Sequence, residues 1–475
     1  MSGFISGQCR EQATLFPERL DDYLDEESSV RVVDVFVDTL DLSTFGFKTN
    51  PATTGRPSYH PSTMLKLFVY GYLNRIQSSR RLERECNRNV ELMWLLSRLS
   101  PDFKTIADFR KNNGKAIQAA CREFVLLCRK LNLFADATVA IDGSKFKADI
   151  NRDLNFTSAK LKYRLKLIDE SIEKYLLQIE SADRQDSTTA KLRTERLEKN
   201  IASLKKEVAR LNLIEKQLQE SPDKQLSITD PDARSMKTRG TGIVGYNVQA
   251  AVDTKHHLIV THEVTNDTSD RSQLFKTAKA TKEFLGVSEL RVIADRGYYN
   301  GAEILACEQD GIQTFLPKTQ TSGNQAKGLF GKRDFIYHPQ DDEFECPAGQ
   351  RAIYRFAREE KGKVIRRYWS SACNTCSLRP KCTTGKYRRI SRWEHESILE
   401  VVEKRLDRAP DAMKVRRSTV EHPFGTIKSW MGATHFQMRT LKRVQTEMSL
   451  HVLSYNMKRV INILGAKALI TAMAV

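Results

Sequence analysis

The chain has 475 residues, with 77 Lys and Arg against 59 Asp and Glu for a formal net charge of +18. A positive excess of this size favours polyanionic partners through counterion release, although a uniformly basic solvated surface would carry the same charge. No apolar run approaches the ~20 residues of a membrane span, the start MSGFISGQCREQ lacks a basic segment followed by an apolar one, and most of the nine cysteines (Cys9, Cys86, Cys121, Cys128 and Cys307) are scattered, which excludes a secreted disulfide scaffold or membrane protein and predicts a cytoplasmic chain with reduced thiols.

The first 135 residues read as an all-helical domain. HPSTMLKLFVYGYLNRI opens on His60-Pro61 and places Met64, Leu65, Phe68 and Tyr72 at helical spacing, giving one apolar face. SSRRLERECNRNVELMWLLSRLS and TIADFRKNNGKAIQAACREFVLLCRKLNLF continue the pattern, and Arg80, Arg81 and Arg84 make the domain a candidate for DNA binding. A helical support domain with an ordinary charged exterior fits the same residues.

A sheet signal follows over 136–475. ATVAID is followed by GIVGYNVQAAVD and HLIVTHEV, two β-branched runs separated by TKHH, which predicts a hairpin. RSQLFKTAKATKEFLG reads as a helix, LRVIAD as a strand, GAEILACEQDG as a helix and IQTFLP as a short strand. This order suits a mixed sheet with helices on its faces and functional groups at strand ends.

Two insertions interrupt that plan. Across 157–220, Leu161, Leu165, Ile168, Ile172, Tyr175 and Ile179, then Leu197, Ile201, Leu204, Val208, Leu211 and Leu218, keep a 3,4 spacing on either side of the polar SADRQDSTTA. An antiparallel helical hairpin is the economical reading, with a dimerising coiled coil as its competitor. The second insertion, 320–400, is polar, basic and cysteine-bearing. Cys346, Cys373, Cys376 and Cys382 include one close pair and suit a tetrahedral structural Zn²⁺ site, against an iron–sulfur cluster or unliganded thiols. Basic charge peaks near here: residues 361–420 hold 16 Lys and Arg against 6 Asp and Glu.

Three acidic residues carry the chemistry. Asp142 ends ATVAID, Asp295 ends RVIAD, and Glu421 sits in RRSTVEHPFGTIKSW. Three carboxylates gathered at one sheet edge are the minimum for holding two Mg²⁺ ions in phosphoryl transfer. Each has a plainer alternative: Asp142-Gly143 as a hairpin turn, Asp295-Arg296-Gly297 as a strand exit, Glu421 as the partner of Ser418 in a capping box. On a helix, Val420, Phe424, Ile427 and Met431 form an apolar stripe, and Arg417, Glu421, Gly425 and Lys428 an adjacent face able to contact phosphates. Pro423 is tolerated near a helix start, so the helix is expected to begin within a few residues of Glu421. His256, His257, His262 and His422 read as surface or hydrogen-bonding residues, and Glu263 and Asp267 as weak additional candidates for the metal pocket.

Asp142 in AIDGSKFKA, Asp295 in ADRGYYN, and Arg417, Glu421 and Lys428 at their spacing together resemble a bacterial insertion-sequence transposase of the DDE class, in the insertion-sequence-four and -five groups. The third spacing is similar to the family's Tyr-Arg-Glu-Lys signature, with Lys414 where the tyrosine would fall, and GRPSYHPSTMLKLFVYGYLNRIQSSRRLE resembles the family's N-terminal domain. The resemblance implies an RNase H-like core in which Asp142, Asp295 and Glu421 hold two Mg²⁺ ions, with Mn²⁺ as a substitute. Its partners would be double-stranded DNA at the element's terminal inverted repeats and at the target, bound by a homo-oligomer, a dimer on DNA. Related alternatives are a structure-specific nuclease without strand transfer and an inactive DNA-binding derivative.

Overall fold

The computed structural model describes residues 19–474 apart from 51–56, 135–136, 184–187, 222, 239, 241 and 320–322. The expectations for the N-terminal twelve residues and Cys9, and for the middle of the connector SADRQDSTTA, lie outside the described residues. No described helix is long and apolar enough to cross a membrane.

Six helices come first: α1 (Ser29–Asp38), α2 (Pro61–Leu73), α3 (Ser79–Cys86), α4 (Val90–Leu95), α5 (Phe103–Asn112) and α6 (Gly114–Lys130). Their starts follow side-chain capping. Ser28 caps α1, Asn89 caps α4, and Asp102 accepts from the amides of Lys104 and Thr105 at the head of α5. α2 starts at Pro61, with the His60 side chain accepting from the Ser62 amide. The sequence spacing gives α2 one apolar face, whereas the structure buries it almost all round, from Met64 to Leu73.

The mixed sheet is built from β1 (Thr138–Lys147), β4 (Arg234–Met236), β5 (Ile243–Asp253), β6 (Ile259–Thr265), β7 (Leu290–Ile293) and β8 (Ile312–Phe315). Its order is β4-β5-β1-β7-β8, with β6 beside β4 on the outer edge of β5. β5 runs antiparallel to β1, while β7 and β8 run parallel to it. Between them in sequence lie α9 (Leu274–Leu285) and α10 (Gly301–Gln309), which cover one face together with Val139, Ile141 and Ala251. The other face, with Ala140, Phe146 and Val248, is covered by α12 (Ala412–Gly425) and α13 (Leu441–Leu464). The protein is thus mixed α/β, with a curled mixed sheet and many helices. α11 (Glu396–Asp407) precedes α12, and α14 (Ala466–Met473) ends the chain.

Between β1 and β4 the chain forms β2 (Asn155–Thr157), α7 (Ser158–Asp183), α8 (Thr188–Glu220) and β3 (Gln225–Ser227). β2 and β3 pair antiparallel at the base, and the helices pack there through Phe156, Leu161, Leu211 and Ile214. Between β8 and α11 lies a second sheet, β9 (Ile336–His338), β10 (Glu343–Glu345), β11 (Arg351–Glu360), β12 (Lys363–Trp369) and β13 (Ile390–Trp393), in the antiparallel order β13-β12-β11-β10-β9. Its small core holds Phe335, Phe344, Ala352, Tyr368 and Ile390.

α13 joins the helical layer to the main sheet. Leu450, Leu453, Met457 and Val460 pack among the N-terminal helices, and Val444, Met448, Val452 and Tyr455 against the sheet. It also closes the open edge of β6. Asn456 accepts from the Ile259 amide at 2.9 Å and donates to the Ile259 carbonyl at 2.8 Å, and Gln445 accepts from Val264. An exposed strand edge invites pairing with other chains, and these side chains occupy its hydrogen bonds.

Burial on α13 extends to histidines. His262 reaches Ser449 at 2.9 Å and His451 stacks edge-on against Tyr72. Desolvation pushes the two imidazoles down to about 4 and about 3. They stay neutral in the folded protein, while the unfolded chain takes up their protons near 6.5, so stability falls as pH drops from 6.5 toward 4. Urea denaturation at pH 7 and pH 5 should show His262→Gln losing about 2 kcal/mol less than the wild type over that interval. Equal losses would mean that His262 is accessible to protons in the folded state.

Candidate functional site

Asp142 and Asp295 come together because β1 and β7 are parallel neighbours. Ala140 is in register with Ile293, so each aspartate stands two residues further along its own chain. Alternation on β1 turns Asp142 to the face of Ala140 and Phe146, toward α12. Asp142-Gly143 is therefore mid-strand and not a hairpin turn. Asp295 does end its strand as a cap: it precedes a 3₁₀ turn, Arg296–Tyr298, and accepts from the Gly297 amide at 2.7 Å.

A cation spans the two carboxylates. Arg416 of α12 places Nη2 2.6 Å from Asp142 Oδ1 and 4.0 Å from Asp295 Oδ2. Burial pushes the Asp142 carboxyl up to about 6; the Arg416 guanidinium opposes that shift and Asp295 adds to it. The pair is a concentrated negative site in a half-dry setting, held in check by one arginine.

Beneath the aspartates a polar network fixes the strands. Gly143 and Lys145 face away from Asp142, in register with Gln249 and Asn247 of β5. Asp270 Oδ1 accepts from Asn247 at 2.7 Å, Gln249 at 2.8 Å and Lys145 at 3.1 Å. The buried Tyr298 hydroxyl donates to Gln249 Oε1, tying the turn after Asp295 to β5. A Cβ at position 143 would lie 2.5 Å from Gln249 Nε2 and 2.6 Å from Asp270 Oδ1, so only glycine admits this packing. The sequence reading missed Asp270 and Tyr298. Their only signal was position, one following β6 and the other following Asp295.

α12 corrects the expected helix. It begins at Ala412, nine residues before Glu421, and Pro423 lies inside it. Proline leaves the Thr419 carbonyl without its amide donor, yet the helix continues past it. Immediately afterwards the helix widens into a π turn, Thr426–Trp430, closed by the Met431 amide on the Thr426 carbonyl at 2.8 Å. Val420, Phe424, Ile427 and Met431 are buried as the spacing predicts. Arg416 falls four residues before Val420 and so belongs to that inward stripe, a signal present in the sequence but assigned to its neighbour Arg417.

Arg417, Glu421 and Gly425 form an exposed face. Ser418 is mid-helix and its hydroxyl donates to the Lys414 and Val415 carbonyls, so it forms no capping box with Glu421. Lys428 leaves that face: the wider turn carries it inward, where it donates to Ser144 Oγ at 2.7 Å and the Lys145 carbonyl at 2.8 Å. Among the described residues no group of three or more His, Cys, Asp or Glu is set to hold a metal ion. The structure therefore joins Asp142 to Asp295 without gathering Glu421 to them. Glu263 pairs with Lys276 and, in register with Gln249, faces away from Asp142; Asp267 accepts from Gln273. His422 stacks on His257 and bonds Tyr455 at 2.8 Å, while His256 bonds the Leu133 carbonyl.

Away from this centre, Arg80, Arg81 and Arg84 are exposed on α3, with Arg80 over the Phe103 ring. Cys346, Cys373, Cys376 and Cys382 line one cavity of about 30 Å³, closed by Phe330, Phe335 and Ile390. Burial raises the Cys382 thiol, Arg388 opposes the shift, and the other three cysteines reinforce it.

Sequence comparison finds the family described as Transposase domain (DUF772) over residues 18–112 and the family described as Transposase DDE domain over residues 185–457. No curated protein matches the chain. A solved piggyBac transposase, in a synaptic complex with hairpin DNA, covers 94% of this chain and 79% of its own at 7% identity and a TM-score of 0.34, too distant to bear on the fold. The second family match spans more than half of the chain and holds both Asp295 and Glu421; with the N-terminal match, it places this protein among the insertion-sequence DDE transposases.

Proposed function

We propose that the protein binds the terminal inverted repeats of its insertion sequence, cleaves the DNA there and joins the ends to target DNA, using divalent metal ions. The observation that carries this reading is the pair of level aspartates on neighbouring parallel strands with a guanidinium between them. A site that already stabilises one cation between two hard oxygen donors fits Mg²⁺, or Mn²⁺ in its place. Asp142, Asp295 and Glu421 are the assigned ligands, in an RNase H-like core. When bound, two such ions supply activation of water or a DNA 3′-hydroxyl and stabilisation of the leaving oxygen.

The protein's own groups do the rest. Lys428, tethered to β1, and the exposed Arg417 of α12 are assigned to DNA phosphates. Arg80, Arg81 and Arg84 lie on an exposed face suited to end recognition by the helical N-terminal region, 1–135, with the catalytic region over 136–475. Glu421 is the third ligand by its place in the family spacing, which requires α12 to turn its exposed side toward the aspartates when DNA binds. The helical pair within 157–220 and the basic sheet within 320–400 are read as insertions into the core. The four thiols lining one cavity are the donor type that a structural Zn²⁺ takes, and although they are not gathered as a metal-holding group in this structure, drawing together around the ion would fix the basic sheet beside the site.

Asp142→Asn, Asp295→Asn and Glu421→Gln keep shape and remove charge. Each should retain folding and DNA binding while Mg²⁺-dependent cleavage of labelled element-end DNA falls by orders of magnitude. Wild-type cleavage by the Glu421 variant alone would remove Glu421 from the machinery and leave a two-aspartate site.

For the cysteines, elemental analysis of protein purified without added metal should give about one zinc per chain, reduced in Cys376→Ser. A zinc-free protein that is folded and active would end that assignment.

A further inference from the structure

The one guanidinium between the aspartates has a consequence for when metal binds. Arg416 is mostly buried, with 17% of its side chain exposed, and among the described residues it is the only cation within ion-pair distance of Asp142. In the free protein its backbone position is set by the inward stripe of α12, where Val420, Phe424 and Ile427 pack into the sheet core. The other nearby cations are committed elsewhere. Lys145 is held by Asp270 on the far face of β1, and Lys428 by Ser144 and the Lys145 carbonyl. Arg416 Nε is buried and has no hydrogen-bond partner. The side chain therefore satisfies the aspartates at one end and leaves a donor unmet at the other. A fully settled structural ion pair would leave neither donor nor acceptor unmet.

We propose that Arg416 is a displaceable counter-cation that couples metal binding to DNA binding. Resting on the reading of Asp142 and Asp295 as metal carboxylates, the proposal is that the guanidinium holds the aspartate pair in the free protein and disfavours a divalent ion there. A DNA phosphate gives the guanidinium a second acceptor, well matched to its planar fork, and its departure from Asp142 frees the carboxylates. Metal and DNA then bind with positive coupling, and by linkage each strengthens the other equally. The free protein stays poorly loaded with metal, which keeps a non-specific nuclease silent until its substrate is in place. Arg416 acts through the aspartates and is a positioning residue.

The test is Mn²⁺ binding to the full chain, read by electron paramagnetic resonance, with and without element-end duplex that lacks a cleavable phosphate at the junction. In the wild type the duplex should tighten Mn²⁺ binding about tenfold or more. Arg416→Gln should bind Mn²⁺ tightly already without DNA, by a similar factor, and gain little from the duplex. It should also melt lower than the wild type without metal and recover with Mn²⁺, because the aspartates are left uncompensated. Arg416→Lys, which keeps the charge, gives an intermediate affinity and serves if the glutamine variant does not fold. Unchanged or weaker Mn²⁺ binding by the variants without DNA, or full retention of the duplex effect in Arg416→Gln, would overturn the proposal and leave Arg416 a structural residue. Asp142→Asn is the control on the underlying reading: if it leaves Mn²⁺ binding untouched in every background, the metal assignment of the aspartates has failed and not the role of Arg416.

Discussion

A carboxylate set in the middle of a central strand and mostly removed from water has to meet a cation, and Asp142 sets that requirement for everything around it. Desolvation alone would drive it toward the protonated form, and its neighbour Asp295 would push further. α12 meets the need by lying across β1 and β7 so that Arg416 reaches both carboxylates. On the opposite side of the same strand, Gly143 gives up its side chain so that Asp270, Gln249 and Asn247 can close beneath it. The site is therefore held from two sides: by charge from the helix above and by a hydrogen-bonded belt from below, with Tyr298 linking that belt to the turn that carries Asp295.

This arrangement depends on a second layer of support. α12 is followed by α13, and α13 is buried on nearly every side because it serves two cores at once. Its polar residues are correspondingly spoken for. Asn456 and Gln445 complete the edge of β6, and the buried Glu447 accepts from the Gln437 and Met438 amides in the segment that joins the two helices. Glu447 also lies near the buried Arg110 of α5, whose guanidinium donates to the Tyr72 hydroxyl. The N-terminal helices thus reach the site through α13 and also directly at the end of the π turn, where Gln77 donates to the Met431 carbonyl at 2.9 Å and Arg75 lies over the Trp430 ring.

What the sequence made legible follows from where burial imposes a pattern. β1, β5, β6 and β7 stand out as β-branched runs because both faces of the sheet are covered, and the two aspartates stand out because they follow such runs. The second sheet was read only as a basic, cysteine-bearing insertion. Its strands β11 and β12 are largely exposed, with Arg, Lys and Glu interleaved among Ile353, Tyr354, Phe356 and Val364, and so they carry no clean alternation. The cysteine spacing was visible, but not the cavity, which needs Phe330 and Phe335 from the segment before β9 and Ile390 from β13. Arg416 is hard to see for a simpler reason: two consecutive arginines on a helix project about 100° apart, and the motif spacing falls on the outward one.

Pro423 suggests a helix start in the sequence, yet α12 begins at Ala412 and carries the proline inside it. Pro423 forbids one backbone hydrogen bond, that to the Thr419 carbonyl, and the packing of α12 on the sheet outweighs that loss. His257, in the β5–β6 turn in a left-handed conformation at φ 58°, stacks its ring on His422, next to the proline. Tyr455 of α13 secures it, donating to the His257 carbonyl at 2.7 Å and leaving its oxygen for His422. The helix runs on past the proline and widens into the π turn instead of stopping. That single extra residue in the turn separates Lys428 from the face that carries Arg417 and Glu421, so that one lysine grips β1 while the glutamate faces solvent. Arg416, ahead of the proline, meets the aspartates through the regular phase of α12, and the π turn beyond it decides where Lys428 goes.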